Sequence, residues 1–309
     1  MVISAKQERV FEKKYIEKQK DRYLKTNVVD RYNNDIGYRE KVDTIINFLK
    51  RVDAKGYILD VGSNTSGESE FLFHLGYKMI PTDINEIALS FSKKRAKQMR
   101  NEELFYFAAD AHAIPIEDNS FENIVVFEAL HHMEEPNTVI SELHRVLLPG
   151  GHLFTLEPYA LNPYRILSSI RDYLRGTIEK SFSVFQLRNL FTNNGFEVIS
   201  IQKAVLPTST WKKQSIGSVR SFLRDIYYSC AKNIPWLFGS VILVAKKPGE
   251  LVLKRFYLED RLICPITRAH LCKVGDSYVS TNTAGKQYSY PVYEGVPVLI
   301  KEDAWESCV

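Results

Sequence analysis

The stretch Tyr57 to Gly76, YILDVGSNTSGESEFLFHLG, constrains the fold more than any other part of the 309-residue chain. A short apolar run ends at Asp60 and breaks into Gly62-Ser63-Asn64-Thr65-Ser66-Gly67, after which Phe71, Leu72 and Leu75 recur at helical spacing before Gly76. An apolar run bounded by turn formers reads as a buried strand, and the pattern that follows it reads as a helix. Thr65 followed by Glu68 has the form of a capping box, which starts the helix at the end of the loop. Free N–H groups and the positive end of the helix dipole suit that spot to an anionic group. Gly62 and Gly67 allow a sharp turn and close approach of a ligand, and Asn64 is among the few other residues that tolerate left-handed geometry. About twenty residues on, Asp83 closes a second strand-like run, Lys78 to Thr82, in the place of an acid that contacts ribose hydroxyls. The pair of features points to a nucleoside-cofactor site.

Strand and helix alternate through the rest of the central region. Asn85 to Met99 reads as a helix whose Lys93, Lys94 and Arg95 form a solvated basic face. Leu104 to Ala108 is a third strand ending in Asp110-Ala111, and a turn over Ser120 to Glu122 leads into a fourth, Asn123 to Phe127. Val139, Ile140, Leu143, Val146 and Leu147 share one helix face; Pro149-Gly150-Gly151 stops that helix, and the strand His152 to Leu156 begins. Further helices run from Asn162-Pro163 to about Arg175 and from Ser183, with Gln186, to Gly195; Phe196 to Ile201 and Val241 to Ala245 supply the last strands. Such alternation predicts an α/β fold, a Rossmann-like, doubly wound and mostly parallel sheet of seven strands, with ligands at the carboxyl ends of the strands. Asp60, Asp83, Asp110, Glu128 and Glu157 each fall at a strand tip and would gather along one rim, as ligand-binding groups or as caps of neighbouring helices.

Residues 1–52 are highly charged, with Val42, Ile45, Ile46 and Leu49 forming an apolar stripe that would cover the edge of the first strand. They read as packing helices or, through the cluster Tyr32, Asn33, Asn34 and Tyr38, as a lid over a substrate pocket. The 203–239 insertion sets Lys212, Lys213, Arg220, Arg224 and Lys232 against the single acid Asp225 among Trp211, Phe222, Tyr227, Tyr228 and Trp236. That mix is a solvated helix on a packed base, or a surface for a phosphorylated, lipidic or nucleic-acid acceptor. A net charge of +4 is too mild to require nucleic acid or an anionic membrane. Four late cysteines do not resemble a disulfide framework, the N-terminus has no unbroken apolar core, and the run Ile234 to Ala245 is too short to span a bilayer, so a cytoplasmic chain without a transmembrane segment is expected.

The order of these features resembles the class I S-adenosylmethionine-dependent methyltransferases, in particular their small-molecule and ubiquinone-pathway members. The residues that carry the resemblance are LDVGSNTSGE at 59–68, TDIN at 82–85, ADAHAIPIEDNSFENIVVFEALHHM at 109–133 and ELHRVLLPGGHLFTLEP at 142–158, within a match over roughly 40–247. The resemblance implies S-adenosyl-L-methionine as cofactor. Asp60 with Gly62, Asn64, Ser66 and Gly67 would hold its methionine part, Asp83 and the adjoining Ile84 the ribose region, Asp110 with Ala111 the adenine, and Glu128 would complete the binding rim. Asn64 replaces the usual middle glycine, Ser66 stands where the last one falls, and Pro81 lies inside a strand.

Residues 248–309 follow a linker-like Lys246-Lys247-Pro248-Gly249 and resemble the small activator proteins of tRNA and translation-factor methyltransferases, through Leu262 to Thr267 and Tyr290 to Leu299. Three segments are therefore expected: an N-terminal helical or lid segment at 1–52, a methyltransferase domain at 53–247 and an accessory domain supplied in cis at 248–309. Only Cys264 matches the family's paired zinc-ligand motifs, with Thr267 in the second place, so a metal-free variant with a buried Cys264 is expected. His131 and His132 follow the fourth strand, where a neutral imidazole can take a proton from an acceptor or simply pack; no metal is expected on them and His112. The leading expectation is methyl transfer to a small or lipid- or glycan-linked metabolite. Transfer to tRNA or a translation protein, or a non-catalytic cofactor-binding scaffold, are the alternatives, and a nicotinamide-dependent dehydrogenase fits worse because the loop lacks GxGxxG spacing.

Overall fold

The computed structural model describes residues 5–98, 104–160, 180–204, 239–252, 257–281 and 285–308, with positions 226, 229 and 233. The helix expected from Asn162 to Arg175, and the charged and aromatic residues named in the 203–239 insertion, lie outside these residues.

Alternating apolar residues in β1 (Tyr57–Val61) must be covered on both sides, and they are: Ile58 belongs to one buried cluster and Leu59 to the other. Around β1 lie β2 (Lys78–Asp83), β3 (Phe107–Ala108), β4 (Phe121–Phe127) and β5 (Leu147–Pro158), all parallel, and then β6 (Glu197–Ala204) and β7 (Ser240–Lys246), which pair antiparallel. The order β3-β2-β1-β4-β5-β7-β6 makes the expected seven-stranded, mostly parallel sheet. Before it come α1 (Ala5–Lys18), α2 (Lys20–Leu24), α3 (Val28–Asn34) and α4 (Ile36–Arg51), and within it α5 (Gly67–His74), α6 (Glu86–Gln98), α7 (Pro136–Val146) and α8 (Val184–Asn193). The capping box that opens α8 is formed by Ser183 and Gln186 as the sequence predicts.

Five local expectations are corrected. The stripe on α4 does not cover a strand edge; Val42, Ile45 and Leu49 share a buried cluster with Ile58, Val125, Phe154 and Ile242, so the helix lies across a sheet face. No capping box joins Thr65 to Glu68, because Asn64 and Ser66 both turn left-handed (φ +47° and +49°) and the N-cap falls on Ser66, whose hydroxyl pairs with that of Ser63 at 3.0 Å. The basic face of α6 is covered rather than solvated. Arg95 is 3% exposed and holds Glu70 through two 2.7 Å bonds, while Lys94 pairs with Glu294 and Lys93 with the Gly295 carbonyl. Tyr32 and Tyr38 form no polar cluster over a pocket: Tyr32 stacks on Phe71 with its hydroxyl on Asp43, and Tyr38 is buried. Finally, β5 starts at Leu147, opposite Phe121, and Pro149-Gly150-Gly151 is an irregularity inside the strand, with Gly150 at φ +78° against the Leu251 backbone.

The C-terminal residues form an antiparallel sheet of β8 (Leu271–Val274), β9 (Ser277–Ser280), β10 (Lys286–Tyr293), β11 (Val296–Pro297) and β12 (Trp305–Cys308). The sheet is joined to the larger one at the β3 edge, where Val298 bridges Ala108 in parallel and the Leu299 N–H donates to the Ala108 carbonyl at 2.8 Å. Leu262, Cys264, Tyr290 and Leu299 share a buried cluster with Leu59, Phe107 and Ile124. Residues 246–249 are anchored as well, since Lys247 Nζ donates to Asn119 Oδ1, the His144 carbonyl and the Leu147 carbonyl. Cys264 is fully buried, 3.1 Å from the Tyr290 hydroxyl.

Candidate functional site

The chain reverses direction after each parallel strand, and a cavity of about 290 Å³ opens where β1, β2, β3 and β4 end. Gly62, Ser63 and Asn64 line it after β1, Asp83 and Ile84 after β2, Asp110 and Ala111 after β3, and Phe127, Glu128, Ala129, His132 and Met133 after β4. Asp83 organises the floor. Its Oδ2 accepts from the Asn64 N–H at 2.8 Å and its Oδ1 from the Asn85 N–H at 2.9 Å, tying the first loop to the start of α6. Burial pushes the Asp83 carboxyl up, against the pull of those backbone donors.

Gly62 is required by packing as much as by any ligand: its φ is +76°, and a Cβ there would collide with Ala129 in the turn after β4. Burial also acts on Asp110, but the His112 ring, 2.5 Å away, and the His112 N–H hold its carboxyl below the ordinary range; the same contact raises His112. Glu128 stands at φ +49° and pairs at 2.5 Å with Lys41, reaching over from α4. Thr82 lines the cavity with a buried hydroxyl that has no partner among the described residues.

Of the residues expected from the sequence, Gly62, Asn64, Asp83, Ile84, Asp110, Ala111, Glu128 and His132 are brought together here. Asp60, Ser66, Gly67 and His131 stand behind this lining. Asp60 is 4% exposed, accepts from the Ser69 hydroxyl at 2.7 Å, and is pushed by burial up to about 7. Glu157, fully buried, accepts from the Leu130 N–H, the His131 N–H and His131 Nδ1, the last at 2.7 Å, so it fixes the turn that carries both histidines. The His131 and His132 rings lie 4.0 Å apart. Lys41 and His112 were not predicted as site residues. Lys41 gives no local signal at all, whereas His112, two places beyond Asp110, sits where an Asx-type contact with that acid forms. Among the described residues, no three His, Cys, Asp or Glu side chains are grouped to hold a metal ion.

Residues 59–155 match the family described as a methyltransferase domain. The ubiquinone/menaquinone biosynthesis C-methyltransferase of Acidiphilium cryptum is 34% identical over 114 residues, which are 36% of this chain and 46% of that protein. The sterol 24-C-methyltransferase of Pneumocystis carinii is 26% identical over 240 residues, 72% of this chain and 63% of its own length. The chain thus spans about half the length of the curated relatives it matches best among these. A solved protein described as a sarcosine dimethylglycine methyltransferase, from Galdieria sulphuraria, superposes with a TM-score of 0.55 at 16% identity, over 69% of this chain and 88% of the other. That likeness establishes the Rossmann-like fold. No helix among the described residues is long and apolar enough to cross a membrane.

Proposed function

We propose that the chain is an S-adenosylmethionine-dependent methyltransferase acting on a small, apolar or lipid-linked metabolite. The observation that carries the reading is the convergence of Asp83, Asp110 and Glu128, from the tips of β2, β3 and β4 on either side of β1, on one cavity floored by the Gly62 turn that follows β1. The donor and acceptor set fits the cofactor. A ribose diol donates to a buried carboxylate such as Asp83, an adenine amino group to Asp110, which engages His112 through Oδ1, and Thr82 Oγ1 is an orphaned polar atom on the same wall. Ile84 supplies an apolar face, Ala111 a backbone donor, and Asn64, with Asp60, Ser66 and Gly67 behind it, shapes the methionine end.

The bound cofactor supplies an activated methyl group. The protein's own contribution is to align an acceptor against it and exclude water, which Phe127, Ala129 and Met133 do from the β4 side. Where the acceptor carries a proton, His132 is the imidazole on the cavity wall that is proposed to take it, the other wall imidazole, His112, being held on Asp110, and His131, held by Glu157, positions His132. The names of the relatives, which specify C-methylation of quinone precursors and sterols, support an apolar acceptor over tRNA or protein. Residues 248–309 are proposed as an accessory domain, in the manner of the metal-free activators, that completes the β3 edge.

Calorimetry with S-adenosylmethionine, S-adenosylhomocysteine and NAD tests the cofactor. Binding of the first two and not the third is expected, and binding of NAD alone would remove the reading. Radiolabelled methyl transfer into fractionated lipid, tRNA and protein then tests the acceptor class, with label in the lipid or small-molecule fraction expected.

A further inference from the structure

The carboxyl ends of the sheet divide by charge. Asp83 and Asp110 stand at the tips of β2 and β3, on the half where the nucleoside is proposed to lie. The other half is different. Beyond β4, Glu128 is met by Lys41, and on β5 the fully buried Glu157 is taken up by the 130–131 turn and the His131 ring. Both acids there are matched within the chain. What this half holds in addition is lysine. Pro158, Ser240 and Ala204 stand side by side at one level of β5, β7 and β6, and Lys203, one position before Ala204, carries its ammonium 3.8 Å over the ring of Tyr159. Phe182 bridges Tyr159, and its carbonyl accepts from the Ala160 N–H at 3.1 Å, so the 180–182 segment runs along the same rim. The Lys180 N–H donates to the His131 carbonyl at 2.8 Å, and Lys180 Nζ lies 3.3 Å from the carbonyl of Met133, which lines the cavity. Lys180 is thereby fixed to the turn that carries both histidines.

An ammonium has three donors, and among the described residues the side chain of Lys180 meets one carbonyl, at a long distance, and no carboxylate. The residue is half-buried. A cation drawn partway out of water without an anion carries a cost that an arriving carboxylate or phosphate offsets through charge-assisted bonds. Lys203 adds a second positive charge to the same rim, its stem held against a ring that is 7% exposed. The adjoining cavity wall, Phe127, Ala129 and Met133, is apolar. An apolar wall that ends in lysines is complementary to a molecule with an apolar body and an acidic end.

We infer that the methyl acceptor carries an anionic group, a carboxylate or a phosphate, which binds Lys180 and Lys203 beside the histidine turn and is left in place by the reaction. The inference rests on the proposed methyl transfer and deepens it by stating the charge of the acceptor. The lysines hold the acidic end and the apolar wall the body, so that the atom to be methylated lies between them, next to His132.

Radiolabelled methyl transfer from S-adenosylmethionine into the lipid and small-molecule fraction of a cell extract, followed by anion exchange, tests the acceptor's charge. The labelled product is expected to be retained by the column. Alkaline phosphatase abolishes the retention if the group is a phosphate monoester, and esterification in acidic methanol does so if it is a carboxylate. Lys180→Gln is expected to lower labelling of the retained product about tenfold and Lys203→Gln about threefold, as loss of charge-assisted bonds does. S-adenosylhomocysteine affinity should change by less than about twofold in both variants, which also reports that they remain folded. Label in unretained product, label confined to tRNA or protein, or full labelling by both variants would overturn the inference while leaving S-adenosylmethionine as the cofactor. No label in any fraction would remove the methyl-transfer reading, and this inference with it.

Discussion

Two sets of strand-tip carboxylates look alike in the sequence and do different work in the molecule. Asp83, Asp110 and Glu128, at the ends of β2, β3 and β4, open onto the cavity. Asp60 and Glu157, on β1 and β5, are buried behind it, and accept from Ser69 in one case and from the 130–131 turn in the other. What separates them is whether the carboxylate reaches the cavity lining, not how many donors of its own chain it holds, since Asp83 accepts from the Asn64 and Asn85 N–H groups and still lines the cavity. A carboxylate buried away from the cavity is part of the scaffold, and one on the lining is available to a ligand.

The contrast can be broken most forcefully at Glu157. Replacing it with Ala strands the Leu130 and His131 N–H groups in a dry interior, and at about 1–3 kcal/mol for each a loss of roughly 2–6 kcal/mol in urea denaturation is expected. A loss confined to ligand binding would erase the distinction. Asp60 offers the next largest effect. Its carboxyl is raised by burial from 3.8 to about 7, so between those values the folded state holds a proton that the unfolded chain has lost. Its contribution to stability is therefore fully present below about pH 4 and falls as pH rises to about 7, by something on the order of 4 kcal/mol. The difference between wild type and Asp60→Asn, followed by denaturation from pH 4 to pH 8, should trace that fall, and a pH-independent difference would count against it.

Asp83→Ala sharpens the opposite side of the comparison, with S-adenosylhomocysteine affinity falling about a hundredfold, roughly 2.7 kcal/mol. It also frees the Asn64 N–H, so a modest stability loss is expected alongside. The smallest effect is expected at the histidines. His132→Ala should lower turnover about tenfold with cofactor affinity intact, in keeping with a wall residue near the reacting atoms, whereas His131→Ala should lower stability and turnover together through the lost Glu157 contact. Identical profiles for the two would contradict their separate roles.

These differences also mark where reading the sequence stops. The alternation of strands and helices, the Ser183 cap and the left-handed Asn64 follow from local rules, because period, cap chemistry and backbone tolerance are properties of neighbouring residues. The capping box at Thr65 misled because a second left-handed residue, Ser66, moved the helix start by one position. Arg95 read as solvated because its partner, Glu70, lies on another helix and nothing local announces it. Asp60 and Asp83 carry the same strand-end signature, and only tertiary packing, Ser69 against the one and Asn64 against the other, decides which of them faces the cavity. Lys41, 87 positions from Glu128, is beyond any local signal.

The most direct test of the account is a crystal soaked with S-adenosylhomocysteine. The ribose hydroxyls are expected on the Asp83 carboxylate, with the adenine between Ile84 and Asp110. Density that puts the sugar away from Asp83, or a cavity closed by side chains to the soaked compound, would contradict it.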